Sequence, residues 1–256
     1  MLKQLQSQVL SNRQISADFF ELSMRWDKTA GIALPGQFLT IRVSQDSVPL
    51  LRRPFAFAGF DEPEQTASII YQKRGRGTEI LCGKQAGESL DVIGPLGNHF
   101  PVNDGQGESV AAAGGIGLGP ILFLVNYLRE RDVPVTFIFG CRNSSYIPDN
   151  TAFKTASPNI CTDDGSVGFK GNTISYLEQN IKINDKSVLY GCGPEAMLKG
   201  LSGFADSVGA ASFVSVEQVM ACGVGACMGC VVKTASGYAR SCKEGPVFSA
   251  KDIVWE

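Results

Sequence analysis

The chain has 256 residues, of which 44% are hydrophobic and 19% are charged. This composition excludes a disordered chain, and the length favours two domains with a small appendage. The 23 Lys and Arg residues and the 25 Asp and Glu residues give a net charge of −2. Without basic blocks, that balance argues against nucleic acid as a partner. No apolar run reaches the length of a membrane span, so we expect no membrane partner either.

The cysteines restrict the metal chemistry of the chain. Eight cysteines accompany a single histidine, which excludes zinc or iron sites built from several imidazoles, including a Rieske centre. Four of the cysteines, Cys222, Cys227, Cys230 and Cys242, lie close together near the C-terminus. Residues 1–10 alternate too strictly for the core of a signal peptide. We therefore expect a reducing, cytoplasmic location, where clustered cysteines usually bind metal.

The first 103 residues predict short strands separated by turns. Six strands at this spacing are typical of a small antiparallel barrel. Turn-forming pairs and runs separate the strands, such as the Pro-Gly pair at residues 35–36. We expect strands at residues 5–10, 18–24, 37–43, 55–60, 68–72 and 89–93.

A turn-rich stretch, residues 103–107, precedes a change of pattern. From residue 104 to residue 215 strands alternate with helices, which predicts a parallel sheet covered on both faces. Residues 216–256 then form a third, small unit that carries the clustered cysteines, so the predicted domains are 1–103, 104–215 and 216–256. In the second domain we expect strands at residues 109–113, 135–139, 159–162, 187–190 and 212–217, and helices at residues 121–131, 173–180 and 195–206.

The four C-terminal cysteines have the spacing C-x4-C-x2-C-x11-C. This is the plant-type spacing of a [2Fe-2S] cluster, which needs four thiolates. Gly223, Gly225 and Gly229 would let the backbone curl around a cluster and direct N–H groups at sulfur. A structural zinc held by four cysteines remains open, although such sites usually have two C-x2-C pairs and only Cys227 and Cys230 form one.

Two glycine-rich turns follow predicted parallel strands. Residues 114–120 (GGIGLGP) end one strand and open a helix, and residues 190–195 (YGCGPE) repeat the arrangement later in the chain. Such a turn can bring backbone N–H groups and a helix N-terminus to a pyrophosphate. Either turn alone could serve packing only. Two turns at the carboxyl ends of strands define the crevice where open α/β sheets bind ligands.

Basic residues flank two strands of the predicted barrel. Residues 51–57 (LRRPFAF) enter the fourth strand, and residues 72–78 (QKRGRGT) leave the fifth. An Arg at a strand start and a Gly-x-Gly-Thr turn together suit a diphosphate, through a bidentate contact and backbone N–H groups. Solvated positive charge on two loops is the competing interpretation.

Together these motifs resemble the ferredoxin-NADP reductase superfamily, in which a flavin-binding barrel precedes a nicotinamide-binding α/β domain. Residues 53–56 (RPFA) stand where that family has an Arg-x-aromatic-Ser flavin motif. Residues 75–78, 114–120 and 192–194 are similar to its pyrophosphate, GGxGxxP and CGP turns. With the cysteines placed after the reductase module, the whole length resembles the electron transfer subunits of type B dihydroorotate dehydrogenases, to which residues 94–98 (GPLGN) and 222–230 (CGVGACMGC) are also similar.

The resemblance implies an NAD-linked oxidoreductase subunit of pyrimidine biosynthesis. Its partner, an FMN-containing dihydroorotate dehydrogenase catalytic subunit, would supply electrons that pass through a [2Fe-2S] cluster and FAD to NAD+, in an assembly of two copies of each subunit. It implies Cys222, Cys227, Cys230 and Cys242 as cluster ligands, and Cys192 as the catalytic residue facing the nicotinamide. The implied FAD contacts are Arg53, Pro54, Phe55, Ala56, Ile70, Tyr71, Gln72, Gly75, Gly77 and Thr78, and the implied NAD contacts are Gly114, Gly115, Gly117, Gly119, Gly193, Pro194 and Glu195.

One departure, one undecided residue and two alternative functions remain at this point. Ala56 replaces the usual Ser or Thr of the flavin motif, so no hydroxyl is available there for the flavin N5. Arg142 either touches the nucleotide or is a solvated loop charge. The same module could serve another partner, as in a ferredoxin-NADP reductase alpha subunit, a sulfite reductase subunit or a hydrogenase diaphorase. A non-redox zinc-knuckle binding protein is the alternative of another class.

Overall fold

The computed structural model describes residues 3–102, 107–153 and 156–255. Its first six strands close into an antiparallel barrel of order β1-β2-β5-β4-β3-β6, which confirms the predicted architecture. One helix, α1 (Arg76–Cys82), lies between the last two barrel strands, where the sequence predicted only a turn. The barrel strands are β1 (Gln4–Gln14), β2 (Phe19–Arg25), β3 (Phe38–Arg42), β4 (Arg53–Asp61), β5 (Thr66–Gln72) and β6 (Ser89–Leu96).

The second part of the chain forms a parallel sheet with helices. Its strands are β7 (Ser109–Gly114), β8 (Val135–Cys141), β9 (Asn159–Thr162), β10 (Phe169–Lys170), β11 (Val188–Cys192) and β12 (Ala211–Ser215). Its helices are α2 (Leu118–Arg129), α3 (Asn150–Phe153), α4 (Thr173–Asn180) and α5 (Glu195–Val208). The described strands follow the order β10-β9-β8-β7-β11-β12, and neighbouring pairs are parallel.

The helices cover both faces of this sheet, as predicted. Alternating side chains of β7 point to opposite faces, so Ala111 packs with α2 while Val110 packs with α4 and α5. Helix α2 also touches the barrel, since its Phe123 lies in the barrel core. Helix α2 therefore packs against the sheet and the barrel at the same time.

The C-terminal segment is built onto both domains. It contains a hairpin of β13 (Val231–Thr234) and β14 (Gly237–Arg240), and a last strand, β15 (Val247–Ser249), which pairs antiparallel with β12. Asn98, just after β6, fastens this segment to the barrel. Its side-chain amide donates to the carbonyls of Glu244 and Val247 at 2.9 and 2.7 Å, and its carboxamide oxygen accepts from Val247 N–H at 2.9 Å.

The predicted domain limits remain predictions. The first, between residues 103 and 104, lies outside the described residues. The second, between residues 215 and 216, falls directly after β12, and β15 later returns to pair with that strand. Within the described ranges, no helix has the length and apolar character needed to cross a membrane.

Replacing Asn98 with Ala is expected to loosen the C-terminal segment. The change removes three side-chain hydrogen bonds, each worth about 1 kcal/mol, so we expect the free energy of unfolding to fall by about 2–3 kcal/mol. Urea denaturation of the purified protein measures this. Asn180→Ala is the control, because Asn180 is exposed at the end of α4 and its side-chain amide makes one hydrogen bond among the described residues, to the Tyr176 carbonyl. Equal effects of the two substitutions would contradict the fastening role.

Candidate functional site

A cleft of about 760 Å³ lies between the barrel and the carboxyl edge of the parallel sheet. The structure brings most of the residues predicted to bind cofactors into its wall. Gly77 lies outside the lining but packs closely against Arg53, since a Cβ atom there would lie 2.8 Å from Nε of Arg53. Gly75, Gly119 and Glu195 lie outside the lining, and their binding roles remain predictions. The predicted residues that line the cleft are Arg53, Pro54, Phe55, Ala56, Ile70, Tyr71, Gln72, Thr78, Gly114, Gly115, Gly117, Cys192, Gly193 and Pro194.

The two glycine turns touch each other through their backbones. They follow β7 and β11, which are neighbours in the sheet. A Cβ atom on Gly117 would lie 2.1 Å from the carbonyl oxygen of Cys192, and one on Gly193 would lie 3.0 Å from Cα of Gly114. Only glycine permits so close an approach. The turns therefore form one continuous backbone surface at the carboxyl ends of two strands, where α/β sheets bind nucleotides.

Two cations face the cleft from the barrel side. Arg53 begins β4 and Arg74 follows β5, and both side chains contribute to the lining. The turn that carries Arg74 is held by Thr78, whose hydroxyl oxygen accepts from the N–H groups of Arg74 and Gly75 at 2.9 and 3.1 Å. A turn fixed by these hydrogen bonds and flanked by two guanidinium groups is suited to bind a diphosphate.

Tyr71 is oriented differently from its neighbours on β5. Its ring lies in the barrel core near Phe20 and Phe55, and its hydroxyl donates to Oδ1 of Asn12 at 2.9 Å. Burial raises the pKa of this phenol, which therefore stays neutral. We expect Tyr71 to meet a ligand through its backbone. Gln72 also reaches the cleft, with its amide donating to Oδ2 of Asp18 at 2.8 Å.

Cys192 ends β11 and lines the cleft beside the glycine turns. Burial raises the pKa of its thiol to about 12, although a hydrogen bond with Ser215 opposes the shift, and the nearby Glu217 carboxylate adds to it. The group is therefore a neutral thiol at physiological pH, which suits packing against a bound ring better than nucleophilic attack. The catalytic role of Cys192 remains a prediction from the sequence.

The clustered cysteines have backbone N–H groups directed at their sulfurs. Sγ of Cys222 accepts from Val224 N–H at 3.5 Å and from Ala226 N–H at 3.3 Å, and Sγ of Cys242 accepts from Gly225 N–H at 3.1 Å. Gly225 has a φ of +83°, a conformation that glycine adopts without strain. Burial works against ionisation of Cys222, but these N–H groups and the neighbouring Cys227 outweigh it and lower the pKa of its thiol to about 6. Metal-binding cysteines must be thiolates, so this lowering favours a ligand role.

The four thiols form two pairs. Cys222 contacts Cys227, and Cys230 contacts Cys242, whose N–H also donates to Sγ of Cys230 at 3.4 Å. Within the described ranges, no three Cys, His, Asp or Glu side chains converge on one ion site. Two pairs fit a cluster of two irons, each bound by two thiolates, better than a single tetrahedral zinc, which needs four thiolates at one point. The donor set therefore fits a [2Fe-2S] cluster.

The cysteine segment shares wall residues with the cleft. Cys230 and Cys242 are buried against Phe38 and Leu96 of the barrel, with Met220 packed alongside. Phe38 and Met220 also line the cleft. The buried thiol pair and the cleft therefore have Phe38 and Met220 as shared neighbours.

Sequence reasoning missed several lining residues. Phe19, Phe38 and Met220 were not predicted to line a cofactor site, because apolar residues on strands or beside cysteines carry no local sign of a ligand. Arg142 and Tyr146 lie on the loop after β8, with Cζ of Arg142 5.7 Å from the Tyr146 ring centroid. Arg142 lines the cleft.

The barrel, the sheet and the cleft together define a flavin- and nicotinamide-dependent reductase of the ferredoxin-NADP reductase class. The structure of an NADH-dependent reduced ferredoxin-NADP oxidoreductase superposes with a TM-score of 0.85 and 26% identity, over 98% of this chain and 90% of that one. Phthalate dioxygenase reductase has the same fold, with a TM-score of 0.63 and 18% identity, over 91% of this chain and 87% of that one.

Sequence comparisons then identify the family. Residues 217–254 match the iron-sulfur cluster binding domain of dihydroorotate dehydrogenase B. The dihydroorotate dehydrogenase B (NAD(+)) electron transfer subunit of Bacillus pumilus is 36% identical over 253 residues, 96% of each chain. That of Desulforamulus reducens is 34% identical over 262 aligned positions, 100% of each chain. The chain belongs to this family of electron transfer subunits.

The contact between the glycine turns predicts a selective effect of Gly117→Ala. The new Cβ atom would overlap the Cys192 carbonyl and force the turns apart, and displacements of about 1 Å can cost roughly a hundredfold in rate. We expect NADH-dependent dye reduction to fall by at least about tenfold while flavin content is retained. Gly203→Ala on α5 is the matched control, since a Cβ atom there meets nothing within 4 Å. Full activity of Gly117→Ala would show that the close approach does not shape the nucleotide site.

Proposed function

We propose that this chain is the electron transfer subunit of an NAD+-linked dihydroorotate dehydrogenase. It passes electrons from the FMN of a catalytic partner through a [2Fe-2S] cluster and FAD to NAD+. The observation that carries the proposal is the wall of Phe38 and Met220, which packs against the buried thiols on one side and lines the cleft on the other. When bound, the cluster handles single electrons, nicotinamide accepts a hydride, and a flavin couples the two.

The chain's own residues divide the cleft between two cofactors. Arg53, Arg74 and the turn held by Thr78 would hold the FAD diphosphate, with Pro54 to Ala56 along the flavin. The joined turns of Gly117 and Gly193 would receive the nicotinamide half of NAD, with the neutral Cys192 thiol at its ring. Since residue 56 is Ala, only the backbone there can hydrogen-bond to the flavin.

The exposed side of the cysteine segment is suited to contact with a redox partner. Cys227 is exposed, and Met228 beside it is 53% exposed, whereas Cys230 and Cys242 are buried toward the cleft. A cluster held there would receive electrons on the side of the exposed Cys227 and would pass them on from the side of the buried pair. We propose two copies of each subunit in the assembly, which its mass in solution tests. We also propose a cytoplasmic location, where thiolates persist, and cell fractionation tests it.

Cys227→Ser tests the proposed route. We expect it to abolish dihydroorotate-dependent reduction of NAD+ by the complex with the partner, because a cluster ligand is lost. NADH-dependent dye reduction should remain close to normal, because the flavin and nucleotide sites lie elsewhere. Ala226→Ser is the control, since residue 226 is exposed in the same loop and contributes no thiol. Undiminished coupled activity of Cys227→Ser would place the cluster off the electron path.

A further inference from the structure

Strand β3 is buried on both of its faces. Leu39 and Ile41 lie in the core of the barrel. Phe38 and Thr40 alternate with them along the strand and therefore point away from that core, yet they are only 3% and 2% exposed. Phe38 packs with the buried thiol pair of the cysteine segment. The cysteine segment therefore covers the outer face of β3.

The Thr40 side chain meets the cysteine segment at a glycine. A Cβ atom on Gly223 would lie 2.9 Å from Cγ2 of Thr40. Gly223 has a φ of +68°, a conformation that glycine adopts without strain. Because Gly223 directly follows Cys222, the Thr40 side chain lies against the loop that carries the proposed cluster ligands.

The hydroxyl of Thr40 is a buried polar group without a partner among the described residues. Its oxygen is closed to solvent, and no hydrogen bond reaches it. The residues opposite Thr40 on the neighbouring strands are Pro54 of β4 and Ile93 of β6, whose side chains hold no polar atom. Buried hydroxyls are nearly always hydrogen-bonded, so this one calls for a partner that a bound group supplies.

A [2Fe-2S] cluster fits the hydroxyl better than a cofactor in the cleft. Thr40 is not among the described residues that line the cleft, whereas it does touch the cysteine segment. Cluster sulfurs accept hydrogen bonds, and such bonds help to set the reduction potential of a cluster. The N–H groups of Val224, Gly225 and Ala226 already serve the thiols from within the segment. Thr40 would add a donor from the barrel.

We propose that the Thr40 hydroxyl donates a hydrogen bond to a sulfur atom of the bound [2Fe-2S] cluster and thereby raises its reduction potential. The reduced cluster carries one more negative charge than the oxidised cluster, and a hydrogen bond to a more negative acceptor is stronger. The hydroxyl therefore stabilises the reduced form. The inference rests on the proposed function, because it names a barrel residue that sets how readily the cluster accepts an electron.

A redox titration of the cofactor-loaded protein, purified anaerobically, tests the proposal without turnover. The electron paramagnetic resonance signal of the reduced cluster is followed as the potential is changed. Thr40→Val removes the hydroxyl but keeps the branched shape. We expect reduction of its cluster to become about tenfold less favourable, which is a fall of about 59 mV for a one-electron couple. Thr40→Ser keeps a hydroxyl and should have the wild-type potential, with equal iron content in all three proteins.

Ser7→Ala is the matched control. Ser7 is also 2% exposed, and its hydroxyl also has no partner among the described residues. It lies on β1 between Leu5 and Val9, on the face that points into the barrel core, so its loss should leave the cluster potential unchanged. Thr40→Ala only removes atoms and should reproduce the shift of Thr40→Val, which separates the loss of the hydroxyl from any clash of the valine.

The possible failures are distinguishable. An unchanged potential in Thr40→Val and Thr40→Ala, with the cluster present, would overturn the hydrogen bond while the proposed electron route still stands. A fall of equal size in Thr40→Ser or in Ser7→Ala would reveal a general packing effect and would also overturn it. Wild-type protein that holds no iron would overturn the proposed function and this inference with it.

Discussion

Cys230 and Cys242 pack against Phe38 and Leu96 of the barrel, and the arrangement of the whole site depends on this contact. Electron transfer requires the cluster to lie close to the flavin, and Phe38 is shared by the cysteine segment and the cleft. Asn98 and the pairing of β15 with β12 hold the segment from both domains. The C-terminal segment is therefore fixed at the junction of barrel and sheet, where its buried thiols face the cleft and its exposed Cys227 faces outward.

The cleft itself combines fixed backbone with a few charged groups. Gly117 and Gly193 allow two turns to join, Arg53 and Arg74 supply positive charge on the barrel side, and Cys192 supplies a neutral thiol. This local distribution explains how a chain of net charge −2 can hold anionic cofactors. Positive charge on the barrel side is concentrated where a diphosphate would lie.

Much of the fold follows from local patterns in the sequence. Short runs separated by turn residues predicted the six barrel strands, and the alternation of strands with helices predicted the sheet, with β9 and α4 at the predicted bounds. Helix α1 was missed because its first residues, a Gly-x-Gly-Thr run, also fit a turn, and the hydrogen bonds of Thr78 only become visible in the structure. Strand β15 was missed because its partner, β12, lies more than thirty residues earlier, and such pairing leaves no local pattern.

Some residues of the candidate site could likewise be predicted from local patterns in the sequence, and others could not. Cysteine spacing and glycine turns are local signals, so the thiols and the turn residues were predictable. The roles of Phe38 and Met220 depend on contacts between distant segments, which leave no local pattern in the sequence. Anaerobic purification followed by an absorption spectrum and by iron, zinc and flavin analysis tests the central claim most directly. The account predicts a yellow-brown protein with two irons and one FAD per chain, and zinc without flavin would contradict it.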